Sequence, residues 1–243
     1  MTGSAGRRVT RRTNRRLGLG LLAVGIAVAS PVVAEPVAAQ PVAVRPVAVR
    51  PVAETDHGAQ FKGETVSVDA RATANWVTAS RDNHALPFVI IDKVNAKVFA
   101  FDGAGVLRGA AAALLGMARG DASVPGIGQR KLATITPAER TTPAGRFQAS
   151  LGRDFEQDIL WIDYDAALSL HRVIKGRRVD DRAGRLASPT PSDNRISYGC
   201  VNVPPGFYDG VVKPLFTGTV GIVYILPETK PLRSVFAVPV GAQ

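Results

Sequence analysis

The sequence predicts a mainly β domain with few short helices. Short apolar or alternating runs are separated by residues with turn chemistry, as in antiparallel strands joined by tight connections. Only two segments have helical spacing. The domain, placed at 61–230, contains about 170 residues, which is enough to bury one hydrophobic core.

The predicted strands begin after residue 86. The first three are expected to form a meander, because the breaks between them contain the turn-forming stretches Val94–Ala96 and Asp102–Gly105. In chain order, the predicted strands are 87–92, 97–102, 106–115, 145–151, 158–165, 167–173 and 218–226.

Two helices are predicted. Ala70, Ala74 and Val77 recur at helical spacing, which predicts a helix over 69–83 with Asp69 as its N-cap. The second is expected to begin near Pro204 or Pro205 and to be stopped by Pro214.

Residues 1–34 have the pattern of a signal peptide. Six arginines and no acidic residue in 7–16 precede a 13-residue apolar run at 17–29, then small residues with a cleavage site after Ala34. The apolar run is shorter than the roughly 20 residues of a membrane span. We expect an exported protein in the periplasm or cell envelope. The alternative is an uncleaved N-terminal anchor, which would be its only membrane contact.

A proline repeat follows the expected signal peptide. Prolines at 36, 41, 46 and 51 exclude a stable helix and favour an extended tether over 35–60. At the other end of the chain, residues 231–243 are expected to form a C-terminal tail.

The basic charge belongs mostly to the expected signal peptide. The chain carries +10, but taking six arginines from its 30 basic residues leaves 24 against 20 acidic ones, or +4. No basic stripe with interleaved aromatic residues follows, so nucleic acid is not an expected partner. Three scattered histidines and one cysteine lack metal-ligand spacing, and we expect neither a metal nor a cofactor.

Cys200 is the only cysteine in the chain. In an oxidising compartment it cannot form an intramolecular disulfide, and an exposed thiol would be prone to oxidation. It is therefore either buried as a small apolar side chain or kept for its reactivity. It lies directly before the second predicted helix, whose N-terminus would stabilise a thiolate. The amides of Gly199 and Cys200 would then be available as an oxyanion hole.

A reactive thiol needs a base, because a free thiol with a pKa near 8.5 is mostly protonated at neutral pH. His171, within the strand predicted at 167–173, is the best candidate; the alternative is a core histidine with its hydrogen bonds satisfied. His57 falls in the linker and His84 in a polar turn.

Together these motifs resemble the catalytic domain of the YkuD-type L,D-transpeptidases. That family carries a histidine, a gap and then Ser/Thr-His-Gly-Cys-hydrophobic-Asn/Arg, preceded in sequence by a Thr-Pro-x-Gly-x-aromatic turn. The matching residues here are His171, Ser197, Gly199, Cys200, Val201 and Asn202, with Thr142, Pro143, Gly145 and Phe147. The resemblance covers about 86–227 and implies a β-sandwich.

Two features depart from the family pattern. Tyr198 stands where the family has the histidine before Gly-Cys, and 25 residues, 172–196, separate His171 from Ser197. This interval is longer than is usual in the family, basic and proline-rich, so we expect an enlarged loop beside the site.

The resemblance implies an acyl transfer through a thioester on Cys200. His171 would be the base, oriented by the backbone carbonyl of Arg172, and Gly199, Tyr198 and Ser197 would form or support the oxyanion pocket. Asn202 and Arg195 are candidate substrate contacts. For Ser197 and Asn202 a purely structural role is the alternative, and for Arg195 a solvated side chain. Thr142-Pro143-Ala144-Gly145 is expected to be a structural turn.

The implied partners are peptidoglycan stem peptides, with a neighbouring stem or an envelope protein as acyl acceptor. Two other functions remain open. A hydrolase or L,D-carboxypeptidase would use the same Cys200 and His171, and a catalytically weakened wall-binding domain would account for Tyr198.

Overall fold

The computed structural model describes residues 59–154 and 156–239. The predicted signal peptide, nearly all of the predicted tether, His57 and the end of the predicted tail lie outside these residues. Within the described ranges, no helix combines the length and the apolar character needed to cross a membrane.

The described residues are mainly β, with few short helices, as predicted. The strands are β1 Phe88–Asp92, β2 Lys97–Phe101, β3 Leu107–Ala112, β4 Leu115–Gly116, β5 Gly145–Asp154, β6 Gln157–Asp163, β7 Leu168–Arg172, β8 Arg195–Ser197, β9 Val201–Val203 and β10 Val220–Ile225. The helices are α1 Val68–Ser80, α2 Arg182–Ala187, α3 Pro205–Phe207 and α4 Lys213–Phe216, and a π-helical turn, Tyr208–Val212, joins α3 to α4.

Eight strands form one mixed sheet in the order β3-β2-β1-β10-β5-β6-β7-β9, while β4 and β8 form a small second sheet. Leu114, after β3, exchanges two backbone hydrogen bonds with Asn202 of β9, at 2.8 and 2.9 Å. Because β3 and β9 stand at opposite ends of the strand order, the sheet must curl until its ends meet.

The two faces of the sheet pack against different cores. Val89 and Ile91 of β1 belong to the first core, whereas Phe88 and Ile90 belong to the second, as the two-residue period of a strand requires. Residues from both ends of the sheet share the first core, the layered arrangement of a sandwich. The second is covered by α1 and by Phe236, so packing extends past residue 230.

The predicted N-cap of α1 is wrong by two residues. The helix begins at Val68, and the hydroxyl of Ser67, not the carboxylate of Asp69, accepts the N–H of Ala70 at 3.1 Å. The helix ends before Arg81, whose backbone is left-handed with φ 56°.

Pro214 does not stop the second predicted helix. It is the second residue of α4 and follows the π-helical turn, in which the N–H of Lys213 donates to the carbonyl oxygen of Tyr208, five residues earlier. The strand expected at 106–115 is also divided, into β3 and β4, with Ala113 and Leu114 between the two sheets.

Candidate active site

Cys200 lies in the short loop between β8 and β9 and is half-buried. The expected helix N-terminus is not beside it, since β9 intervenes and α3 begins only at Pro205. Pro204 and Pro205 also lack the N–H groups with which a helix start stabilises an anion. Any stabilisation of the thiolate must therefore come from other groups.

The loop is fixed by Ser197 and Gly199. The Ser197 hydroxyl donates to the carbonyl oxygen of Cys200 at 2.6 Å and accepts the N–H of Gly199 at 3.1 Å. Gly199 has φ 137°, and a Cβ there would lie 2.8 Å from the carbonyl oxygen of Thr141, so glycine is required. Because its N–H is already bonded, the oxyanion role expected of the Gly199 amide is corrected. The N–H of Cys200 donates to no acceptor within the described residues.

Thr142 holds the same loop from its other side. Its fully buried hydroxyl donates to the carbonyl oxygen of Gly199 at 2.7 Å and accepts the N–H of Gly116 at 2.9 Å. The Thr142-Pro143 turn is expected to be structural, and both hydrogen bonds of the Thr142 hydroxyl hold backbone groups in place.

His171 lies on β7, in register with Asn202 of the parallel neighbour β9. Its Nδ1 is 2.7 Å from the carbonyl oxygen of Arg172. A carbonyl oxygen only accepts, so Nδ1 carries the hydrogen and Nε2 carries the lone pair. The side chain of Arg172 bonds Asp158 and Asp209 instead, so only its carbonyl oxygen acts on His171.

The imidazole of His171 adjoins the thiol of Cys200, and the two groups shift each other's pKa. Desolvation would raise the pKa of Cys200, but the neighbouring imidazole, together with Ser169, outweighs it and brings that pKa below its ordinary value. Desolvation would lower the pKa of His171, but the contact with Cys200 outweighs it, so that this pKa is raised. The hydroxyl of Ser169 and the carbonyl oxygen of Ala167 each lie 3.5 Å from the sulfur.

Asn202 is buried and fully engaged, so the substrate contact expected of it is corrected. Its Nδ2 lies 3.3 Å from Nε2 of His171 and 3.3 Å from the carbonyl oxygen of Cys200. Its Oδ1 accepts from Nη1 of Arg182 at 2.9 Å.

Arg195 is neither solvated nor free to bind substrate, so both expectations for it are corrected. Its side chain is 9% exposed and pairs with the buried carboxylate of Glu228. A second bond, at 2.8 Å, goes to the carbonyl oxygen of Lys93.

A cleft reaches the sulfur. A cavity of about 100 Å³ opens onto Cys200, with a largely apolar lining that includes Ile127, Leu132, Ile135, Leu168 and Tyr198. Tyr198 is 37% exposed, and the guanidinium of Arg140 stacks over its ring at 3.8 Å from the centroid. Tyr198 therefore forms part of the wall of the cleft, with one face of its ring covered by Arg140.

Three residues around the site were not predicted from the sequence: Ser169 beside Cys200, Arg182 on Asn202 and Arg140 on Tyr198. Ser169 could have been found, because it is two residues before His171 and therefore on the same face of the strand. Arg182 and Arg140 carried no such signal, since Arg182 lies 20 residues from its partner Asn202 and Arg140 lies far in sequence from Tyr198. No group of three potential metal-ligating side chains occurs in 59–154 and 156–239.

Comparison with known proteins finds no matching family model and no matching curated protein. The solved structures that it matches include L,D-transpeptidase structures and a cell-shape protein, each at 17% identity or lower. The crystal structure of a mutant L,D-transpeptidase from Enterococcus faecium is 16% identical, with 57% of this chain and 49% of that chain covered and a TM-score of 0.30. The NMR structure of the catalytic domain from E. faecium L,D-transpeptidase is 17% identical, over 57% and 95%, with a TM-score of 0.29.

A mutant of the helical cell shape determining protein from Campylobacter jejuni is 12% identical over 66% of this chain and 57% of that chain, with a TM-score of 0.39. The aligned part of this chain spans about half the length of the E. faecium L,D-transpeptidase in the crystal structure.

Proposed function

We propose that the protein is a cysteine acyltransferase acting on peptidoglycan stem peptides, an L,D-transpeptidase. One observation carries the proposal: the thiol of Cys200 lines a cleft and lies beside a histidine whose Nε2 carries the lone pair. A nucleophile beside an oriented base is the arrangement that covalent acyl transfer requires.

In the first half-reaction, Sγ of Cys200 attacks the carbonyl carbon of the amide between a diamino acid and a terminal D-alanine. The thiol proton passes to Nε2 of His171. As the tetrahedral intermediate collapses, the C–N bond breaks and Nε2 gives that proton to the departing amine of D-alanine. The acyl group remains on Cys200 as a thioester.

In the second half-reaction, an amine of a neighbouring stem or of an envelope protein attacks the thioester. Nε2 takes a proton from this amine as the new C–N bond forms. The C–S bond breaks, and the proton returns to the sulfur. Both half-reactions thus use one base and return it to its starting state.

The oxyanion of each tetrahedral intermediate would be held by the N–H of Cys200, which has no acceptor in the described part of the chain. Tyr198, at the wall of the cleft, is the second candidate donor through its phenol. Ser197, Gly199 and Thr142 support the loop that presents these groups.

The choice of substrate rests on the motif resemblance around His171 and Cys200. Action on the cell wall agrees with export, which remains a proposal based on the signal-peptide pattern of residues 1–34.

Intact-mass measurement after incubation of the full chain with a carbapenem tests the proposal. The strained β-lactam amide is an acyl donor, so Cys200 should form a thioester that adds the mass of one drug molecule. Cys200→Ala should gain no mass. An unmodified wild-type chain, or an equal adduct on Cys200→Ala, would contradict the proposal.

A second measurement separates transfer from hydrolysis. A tetrapeptide stem is supplied with and without an acceptor amine, and transfer predicts an amide-linked product only when the acceptor is present. Release of D-alanine and free tripeptide, with no linked product in either case, would favour the hydrolase.

A further inference from the structure

The amide of Asn202 has a single orientation. An arginine side chain offers only donors, so the group facing Nη1 of Arg182 at 2.9 Å must be the carbonyl oxygen, Oδ1. The amino group of Asn202 therefore faces Nε2 of His171, at 3.3 Å.

This orientation suits a neutral imidazole and opposes a protonated one. The Asn202 amino group donates toward the lone pair of Nε2, the same lone pair that must receive the thiol proton. After proton transfer, the N–H of Nε2 would face an N–H of the amide, and two donors would point at each other. Rotation of the amide would relieve this conflict, but Oδ1 would then leave Arg182.

Arg182 is itself held in place. It begins α2, within the 172–196 insert, and its Nε lies so close to Gly176 that a Cβ there would be 2.6 Å from it. Nearby, Arg185 anchors α2 to the carbonyl oxygens of Asp180 and Asp193, at 2.8 and 2.6 Å. The Arg182 guanidinium therefore cannot readily follow a rotating amide.

The charged and titratable groups facing His171 come from three directions. Cys200 approaches from the loop before β9, and Arg182 approaches from α2. On β7 itself, the neighbouring Arg172 has its charge compensated by Asp158 and Asp209. The cation of Arg182 thus acts on His171 in the same sense as the Asn202 amide, against protonation.

We propose that Arg182 is a positioning residue that, through Asn202, limits the ionisation of the Cys200–His171 pair. The insert then regulates the reactivity of the thiol rather than merely bordering the cleft. This inference deepens the proposed function and relies on it only for the roles of Cys200 and His171.

The test is the pH dependence of Cys200 alkylation by iodoacetamide, followed by mass on the full chain. Because Cys200 is the only cysteine, the rate reports its thiolate alone. Arg182→Met removes the cation and frees the amide to accept from Nε2–H. We expect the midpoint of the rate profile to fall by roughly one pH unit. Arg182→Lys keeps the charge and a donor, so its midpoint should lie between those of wild type and Arg182→Met.

Arg177→Met is the matched control, since it removes a cation of the same insert whose exposed side chain pairs with Asp180 and does not contact Asn202, and its midpoint should stay at the wild-type value. Thermal unfolding identifies any variant that does not fold. If Arg182→Met does not fold, a downward shift of the midpoint in Arg182→Lys is the expected result. An unshifted midpoint in every folded Arg182 variant, or an equal shift in Arg177→Met, overturns the inference. Alkylation needs no peptide substrate, so this result and the carbapenem result can fail independently.

Discussion

The reactivity of Cys200 depends on single side chains, each placed by a different part of the chain. His171 lies beside the sulfur and lowers its pKa, Ser197 fixes the loop from within, and Thr142 fixes it from outside. Of these, Thr142 makes the most testable contribution, since its hydroxyl satisfies two buried backbone groups at once.

Thr142→Val keeps the shape of the side chain and removes that hydroxyl. The N–H of Gly116 and the carbonyl oxygen of Gly199 would lose their partner, and an unsatisfied buried group costs about 1–3 kcal/mol. Urea unfolding should therefore show a loss of at least about 2 kcal/mol. The control is Thr141→Val, whose exposed hydroxyl donates to Ala122, with an expected loss below about 1 kcal/mol. Equal losses in the two variants would refute the role given to Thr142.

Cys200 and His171 could be singled out from the sequence, because a lone thiol and a strand-borne histidine are rare enough to stand out, and the family resemblance implied the role of the Arg172 carbonyl. The sequence did not allow the partners of Asn202 and Arg195 to be predicted. Asn202 is held by Arg182 and Arg195 by Glu228, 20 and 33 residues away. Such contacts depend on how loops fold back, which no local pattern encodes.

At the scale of elements, the parallel pairing of β7 with β9 determines the site. Its register sets His171 beside Asn202, and the loop before β9 then brings Cys200 to the imidazole. The longer strands were predicted because their apolar or alternating runs extend over at least five positions. The three-residue strands β8 and β9 were missed, since so few residues show no periodicity. Missing β9 produced the mistaken helix N-terminus at Cys200.

At the scale of the whole molecule, a buried ionic network ties distant segments together. The Lys93 ammonium, directly after β1, donates to Asp121 at 2.8 Å and to the carbonyl oxygen of Thr142 at 2.8 Å. Glu228, after β10, accepts from Arg195. Burial lowers the pKa of Lys93, although the bond to Asp121 opposes this. Desolvation alone would raise the pKa of Asp121, but its bonds to Lys93 and Thr229 lower it strongly.

Lys93→Met should destabilise the fold by about 3–5 kcal/mol near neutral pH, because it leaves buried carboxylates without their cation. A carboxyl with a lowered pKa stabilises the fold above its unfolded-state pKa and loses that effect as pH falls. The difference between wild type and Lys93→Met should therefore shrink below about pH 4. Urea unfolding across pH measures it.

The control for that prediction is Lys97→Met, whose partner Glu64 is exposed, so the cost should be at most about 1 kcal/mol. Similar losses for Lys93→Met and Lys97→Met, or a difference that does not change with pH, would show that the network does not hold these segments.

The pairing of Cys200 with His171 is tested most directly by the alkylation profile of the wild-type chain against that of His171→Gln. The variant removes the imidazole, which lowers the thiol pKa most, and leaves desolvation, which raises it and is the largest single cause. We predict a wild-type midpoint below about 8.5, the value of a free thiol, and a His171→Gln midpoint above it. Identical midpoints in the two proteins would mean that the imidazole does not act on the sulfur, and the proposed chemistry would be wrong.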